Sequence, residues 1–304
     1  MRAVCAASLV AMVVFFSAGC VPSELAGVRL ISVDPYEGRI LDVTPEKAVE
    51  AGRLPAEQLP LRDAQVNSRQ THAFMQAGHV LKVVSLADAQ DVARQDRVIS
   101  ARWSPRGDDL LLVLDAPGYG VDVVEVRRAS PQLATVRSAR IRAPGFRKLA
   151  SQGLALSWSA DGKLFSIGPR EDRLASSAID PARLGPGDAP STFVFDADTF
   201  DRTAHPGYHS AYFLTAATLI ASRGDQLVIV NSEFRELSPV ELDPPGRVVG
   251  SDPTRSIFVY EMVRAHASLA FGAREYRLIA HPSLRSAKLP RGGPSMTFLR
   301  DGEW

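Results

Sequence analysis

The chain has 304 residues, 45% hydrophobic and 23% charged, with 35 Lys and Arg against 34 Asp and Glu and a formal net charge of +1. This composition is that of an ordinary globular protein. It excludes a largely disordered chain and a multi-span membrane protein, and the lack of basic excess argues against a general nucleic-acid binder. Among the basic residues only Lys47, Lys82, Lys148, Lys163 and Lys288 are lysines, a skew that reads as base composition of the gene and not as phosphate recognition.

Met1-Arg2 gives a short positive start, and Ala3 to Phe16 is apolar apart from Ser8. That is the length of a signal-peptide core, short of the ~20 residues that span a bilayer. Ser17-Ala18-Gly19-Cys20 follows. Small residues before a cysteine resemble the lipobox of bacterial lipoproteins, although Ser17 stands where Leu or another aliphatic residue is usual. The resemblance implies a signal peptide at 1–19, cut before Cys20, with acyl groups on the Cys20 thiol and on the new amino group. The alternatives are a plain secretory signal cut nearby and an uncleaved anchor. Two or more acyl chains hold a protein stably on a membrane. Val21, where Asp often signals inner-membrane retention, points to the periplasmic face of the outer membrane over the inner membrane. Cys5 lies in the signal, so Cys20 is the one cysteine of the expected mature chain. An internal disulfide, a Cys-based zinc site and a cysteine nucleophile are then excluded. Residues 20–27 read as the lipidated N-terminus and linker, and 28–304 as one β domain.

Short apolar strands run through that domain. The first is Arg29–Asp34. Residues 45–78 read as a loop insertion, since Pro55 and Pro60 interrupt the only helix that Glu46 to Arg69 could form. Val80–Ser85 is the second strand and Val121–Val126 the third. Between them Trp103-Ser104-Pro105-Arg106-Gly107-Asp108 precedes the apolar run from Leu110. An aromatic that closes one strand, a turn glycine four residues later and a second apolar run describe strand, tight turn, strand. The same spacing recurs at Trp158-Ser159-Ala160-Asp161-Gly162-Lys163. Gly168 to Pro190 reads as a long inter-strand loop. Thr192–Asp196, Gln226–Asn231 and Tyr276–His281 are further strands. Degenerate copies of the turn lie at Tyr212–Ile220 and Gly250–Tyr260, and Phe298-Leu299-Arg300-Asp301-Gly302-Glu303-Trp304 keeps the aromatic-to-glycine spacing.

The Trp-Ser-Pro/Ala-x-Gly turns resemble the blade repeats of TolB-type, WD-repeat-like β-propellers. Their marks are Trp103, Gly107, Trp158, Gly162, Phe298 and Gly302. The resemblance implies an all-β fold of four-stranded blades around a channel: six, or alternatively seven, at ~40–45 residues each. The offset between a first strand near Ile31 and a last hairpin at Phe298 suits ring closure, with the N-terminal strand completing the C-terminal blade. A β-sandwich pair is the competing architecture.

No specific catalytic motif accompanies this pattern. A nucleophile elbow, a zinc helix, a Walker loop and a dinucleotide turn are all absent. His205 and His209 flank Pro206-Gly207, which disfavours a helix that would bring their rings to one metal. Asp196-Ala197-Asp198-Thr199-Phe200-Asp201 lacks the glycine and glutamate of a calcium loop and reads as a strand end and turn. Trp103 and Trp158 are expected to pack between sheets, with a ligand surface as the other reading. Arg127, Arg128 and the run Arg137 to Arg142 read as a solvated face. The expectation is a membrane-tethered module that binds an envelope protein, with no cofactor, no metal site, no catalytic residue and no nucleic-acid partner. A carbohydrate-binding protein or a propeller lyase or glycosidase working at the channel mouth is the alternative.

Overall fold

A computed structural model describes residues 21–55, 59–116, 118, 123–143, 146, 154–169, 191–224, 226–243, 246–263, 274–290 and 296–299. The expected signal peptide, Cys20, Gly302 and Trp304 lie outside the described residues, as does most of the loop expected at 168–190.

The described chain is all β apart from a 3-10 turn at Ser23–Leu25, and it forms six antiparallel four-stranded sheets. Blade 1 is built from β1 (Leu30–Val33), β2 (Arg39–Val43), β3 (Ala48–Arg53) and, as its innermost strand, β24 (Met296–Phe298). Blade 2 runs outward through β4 (Asp63–Val66), β5 (His72–Ala77), β6 (Val80–Ser85) and β7 (Asp91–Gln95). Blade 3 holds β8 (Val98–Trp103), β9 (Leu110–Asp115), β10 (Val123–Ala129) and β11 (Thr135–Arg142). Blade 4 holds β12 (Leu154–Trp158), β13 (Leu164–Pro169), β14 (Ser191–Asp196) and β15 (Arg202–Pro206). Blade 5 is β16 (Ala211–Phe213), β17 (Thr218–Arg223), β18 (Gln226–Asn231) and β19 (Glu236–Val240). Blade 6 is β20 (Gly246–Asp252), β21 (Ile257–Val263), β22 (Arg274–Ala280) and β23 (Ser286–Lys288). The architecture is a six-bladed β-propeller, not the seven-bladed alternative.

Alternation along each strand explains the stacking. Leu110, Leu112 and Leu114 of β9 face blade 2, whereas Leu111 and Val113 face blade 4. Both faces of the sheet are buried, so β9 reads as a continuous apolar run. Six separate apolar clusters result, one between each pair of neighbouring blades. Outer strands show the opposite composition. Strands β3, β11, β15 and β19 are mostly exposed and β7 is exposed or half-buried throughout, and together they carry Arg53, Arg94, Arg137, Arg140, Arg202 and Pro239. Charge and proline on an edge discourage pairing with another chain.

Two expectations are corrected. Residues 45–78 are not a loop insertion: they contain β3, β4 and β5. Pro55 and Pro60 lie in the connection between two blades, where no ladder needs their missing N–H. Ring closure also runs the other way. The C-terminal strand β24 completes a blade whose other three strands are N-terminal, pairing Phe298 with Leu30 and Met296 with Ser32. Phe298 ends an inner strand that pairs back to β1, and residues 300–304 of the expected hairpin lie outside the described residues.

Candidate functional site at the channel mouth

The six inner strands end in register. Val66, Trp103, Trp158, Phe213 and Asp252 each pair with a residue at or next to the start of the following strand, and Phe298 pairs with Leu30 at the start of β1. One residue earlier stand Gln65, Arg102, Ser157, Tyr212, Ser251 and Thr297. Every one is polar, although the strands around them are apolar. These equivalent positions form the throat of the channel.

Most of this ring is bonded across blade boundaries. Gln65 Nε2 donates to Met296 O at 3.3 Å, and the Trp103 backbone N–H donates to Gln65 Oε1 at 3.1 Å. Trp103 Nε1 donates to Gln65 O at 3.0 Å, and Thr297 Oγ1 donates to Val66 O at 2.7 Å. The Phe213 N–H donates to Ser157 Oγ at 3.0 Å. Ser157 Oγ also lies 3.5 Å from Ser251 Oγ, which bridges blades 4 and 6 and shows how narrow the throat is. Arg102 spans it: a Cβ built on Gly250 would lie 3.6 Å from Arg102 Nη2. Arg102 belongs to blade 3 and Gly250 to blade 6, on opposite sides of the six-membered ring.

A depression of about 580 Å³, open to solvent, lies on one side of this constriction. Trp103, Trp158, Ser157, Asp252, Thr254 and Phe298 are among its walls. A smaller space of about 310 Å³ lies on the other side, bounded by Asp63, Ser100, Leu154 and Tyr212. Gln65 and Arg102 border both. Asp252, the only carboxylate among the described residues of the larger depression, sits in a turn. It accepts from the Thr254 backbone N–H at 2.9 Å and from Thr254 Oγ1 at 2.6 Å.

Trp103 and Trp158 do pack between sheets, with exposures of 4% and 5%. Trp103 tilts against Phe74, and Trp158 against Phe165 at 5.2 Å. They differ in one respect. The Trp158 indole N–H is buried and finds no acceptor among the described residues, whereas its counterpart in Trp103 is bonded. The Tyr212 hydroxyl is likewise buried without a partner there. Leaving such a donor unmade costs about 1–3 kcal/mol.

The remaining sequence candidates are placed elsewhere. The His205 ring stacks on Phe234 at 4.0 Å, its Nε2 lies 2.9 Å from Thr203 Oγ1, and burial lowers its pKa. Asp196 Oδ1 accepts from the backbone N–H groups of Thr199 and Asp198, which lower its pKa. No group of three His, Cys, Asp or Glu able to hold a metal occurs among the described residues. Arg127 pairs with Glu125, and Arg128 with Asp109 and Asp198. Gly107 and Gly162 have φ of +72° and +70° in the turns after β8 and β12. Sequence reasoning missed Gln65 and Arg102. A signal was there: each immediately precedes the last residue of an inner strand, the position occupied by the tryptophan in the two clear repeats.

No protein-family model and no curated protein matches the chain. Solved structures do. A protein assigned as TolB from Agrobacterium tumefaciens superimposes with a TM-score of 0.52 at 12% identity, over 90% of this chain and 96% of the other. A protein of unknown function from Bacteroides caccae gives a TM-score of 0.54 at 8% identity, over 90% and 99% of the two chains. At these identities the likeness shows the fold: a TolB-like β-propeller.

Proposed function

We propose that this chain is an envelope lipoprotein, anchored through acyl groups on Cys20 at the periplasmic face of the outer membrane, whose propeller binds another envelope protein without catalysis. The observation that carries the reading is the chemistry of the channel mouth. General acid–base work requires at least one group free to exchange a proton beside the reacting atoms, and usually a second to complete the cycle. Among the described residues the mouth offers one carboxylate, Asp252, and it is committed to a turn. A TolB-like propeller is consistent with an interaction module, and the anchor follows from the lipobox resemblance at Ser17–Cys20. The catalytic alternative needs further convergent carboxylates or histidines at this mouth.

The anchor is tested by Cys20→Ser with radiolabelled palmitate. The expected outcome is loss of label, accumulation of unprocessed chain and altered membrane partitioning; a variant still processed and still labelled refutes lipidation at Cys20. The interaction is tested by crosslinking intact envelopes before purification. Recovery of a stoichiometric envelope partner is expected, and repeated recovery of the chain alone counts against the module.

A further inference from the structure

We propose that the end of the propeller bearing the larger depression lies against the bilayer that holds the Cys20 acyl groups, with the opposite end facing away. This orientation rests on the lipoprotein reading, and the segment after Cys20 carries it. That segment is packed onto the blades. Val21 lies against the apolar cluster between blades 6 and 1, in which Leu25 and Val28 are fully buried. Pro22 O accepts from the backbone N–H groups of Leu25 and Ala26 at 2.9 and 3.0 Å, which folds residues 22–26 into a tight turn. The lipidated residue is thus joined, across one peptide unit of about 3.8 Å, to a residue seated on the blades. A tether this short fixes which surface meets the membrane.

Two contacts say which end this is. The turn from β22 to β23 lies at the end where the inner strands finish, because Ala280 pairs with Ile257 and the His281 N–H donates to Ser256 O at 2.9 Å. Glu24 pairs with Arg285 of that turn at 3.5 Å. Arg29 O accepts from the Leu299 N–H at 3.0 Å, just past the end of β24. Residues 24 and 29 therefore both sit at the depression end. The same end carries an apolar rim. Val49, Val136 and Leu237, each at least half exposed, are the second residues of β3, β11 and β19, which start there, and Leu284 is exposed in the turn after β22. These four come from blades 1, 3, 5 and 6, so they are spread around the ring and do not cluster beside the anchor. The other exposed large apolar side chains among the described residues, Tyr36 and Leu59, lie at the opposite end, where the Leu61 N–H donates to Pro35 O. Apolar side chains at headgroup level add buried area to the hold of the acyl chains.

The test uses the chain purified from membranes and reconstituted in vesicles of phosphatidylethanolamine and phosphatidylglycerol, with some lipid spin-labelled at the headgroup. Cleavage removes Cys5 and acylation blocks the Cys20 thiol, so one introduced cysteine takes one fluorescent maleimide. Val49→Cys and Val136→Cys report the depression end on two different blades, and Tyr36→Cys reports the far end of blade 1. All three side chains are exposed, and matched melting temperatures verify that the fold persists. Strands of about six residues separate the two ends by about 20 Å, beyond the ~5–10 Å depth of interfacial contact. Quenching at positions 49 and 136 is expected to exceed that at 36 by about threefold or more. Equal quenching at the three positions, stronger quenching at 36, or quenching at 49 alone, as an edge-on molecule gives, overturns the orientation while the anchor stands. Mass spectrometry of the same sample separates the two readings: a chain without acyl groups refutes the lipoprotein and the orientation with it.

Discussion

The two turn glycines show how one motif meets two environments. Both hold a positive φ, which costs a residue with a Cβ roughly 1–2 kcal/mol. At Gly162 nothing lies within 4 Å of an added Cβ, whereas at Gly107 it would stand 3.0 Å from Ser68 Oγ and 3.3 Å from Asn67 Nδ2. Those two side chains bond the same turn, Asn67 Nδ2 to Gly107 O and Ser68 Oγ to Pro105 O. Gly107→Ala should therefore destabilise more than Gly162→Ala, by about 1 kcal/mol for the disturbed hydrogen bonding. Urea unfolding of the pair checks this, and equal midpoints would show that the turn tolerates the shift. Asp196 makes a prediction of different kind. Hydrogen bonds to its ionised form lower its folded pKa, so its contribution is complete above the ordinary aspartate value of about 4 and is lost as pH falls through the folded value. Asp196→Asn keeps the acceptor without the titration. It should flatten the acid limb of the stability profile below about pH 4 and lower neutral stability slightly, because the neutral amide accepts the same hydrogen bonds more weakly than the carboxylate. Melting curves between neutral and acid pH measure both effects.

Among elements, the third strand of each blade was the most legible. Five of the six strands read from the sequence are third strands: β6, β10, β14, β18 and β22. They alternate or run apolar because both faces meet a neighbouring blade. The exposed fourth strands were invisible, since nothing periodic marks a strand such as β7 or β11 that buries almost nothing. The turn after each of those five third strands carries its own repeat, which was not read: Ala89, Leu133, Phe200, Phe234 and Leu284 all have φ between +54° and +63°. None is glycine, and this hides the signature from a search for turn residues. Asn67 to Thr71 escaped for a similar reason: Gln70 takes the positive φ that Gly107 takes in the next blade. The throat stayed hidden because its six residues share a position and a polarity but no residue type. The inner closing strand β24 yields the prediction at this scale. A chain ended before Met296 loses two buried apolar side chains, Met296 and Leu299, at 3% and 6% exposure, which costs on the order of 5 kcal/mol. It also bares the edge of β1. Calorimetry should show a lower melting temperature and sedimentation a concentration-dependent association; an unchanged melt and a monomer would contradict closure through β24.

At the scale of the whole molecule, stability is spread over six inter-blade clusters and has no single centre. The throat complements this arrangement, with hydrogen bonds joining blade 1 to 2, 2 to 3 and 4 to 5 where the apolar layers run out. Such a ring tolerates changes of surface loops far better than changes of inner-strand register, because one slipped residue turns every core side chain outward. Closure through β24 has a consequence in time. A ribosome makes β1, β2 and β3 before any other blade and β24 after all of them. While the other five blades are made, the inner edge of β1, from Leu30 to Ser32, waits for a partner encoded after all of them. Of the six sheets the first begun is the last one finished, and the nascent propeller carries an unsatisfied pairing edge until β24 emerges.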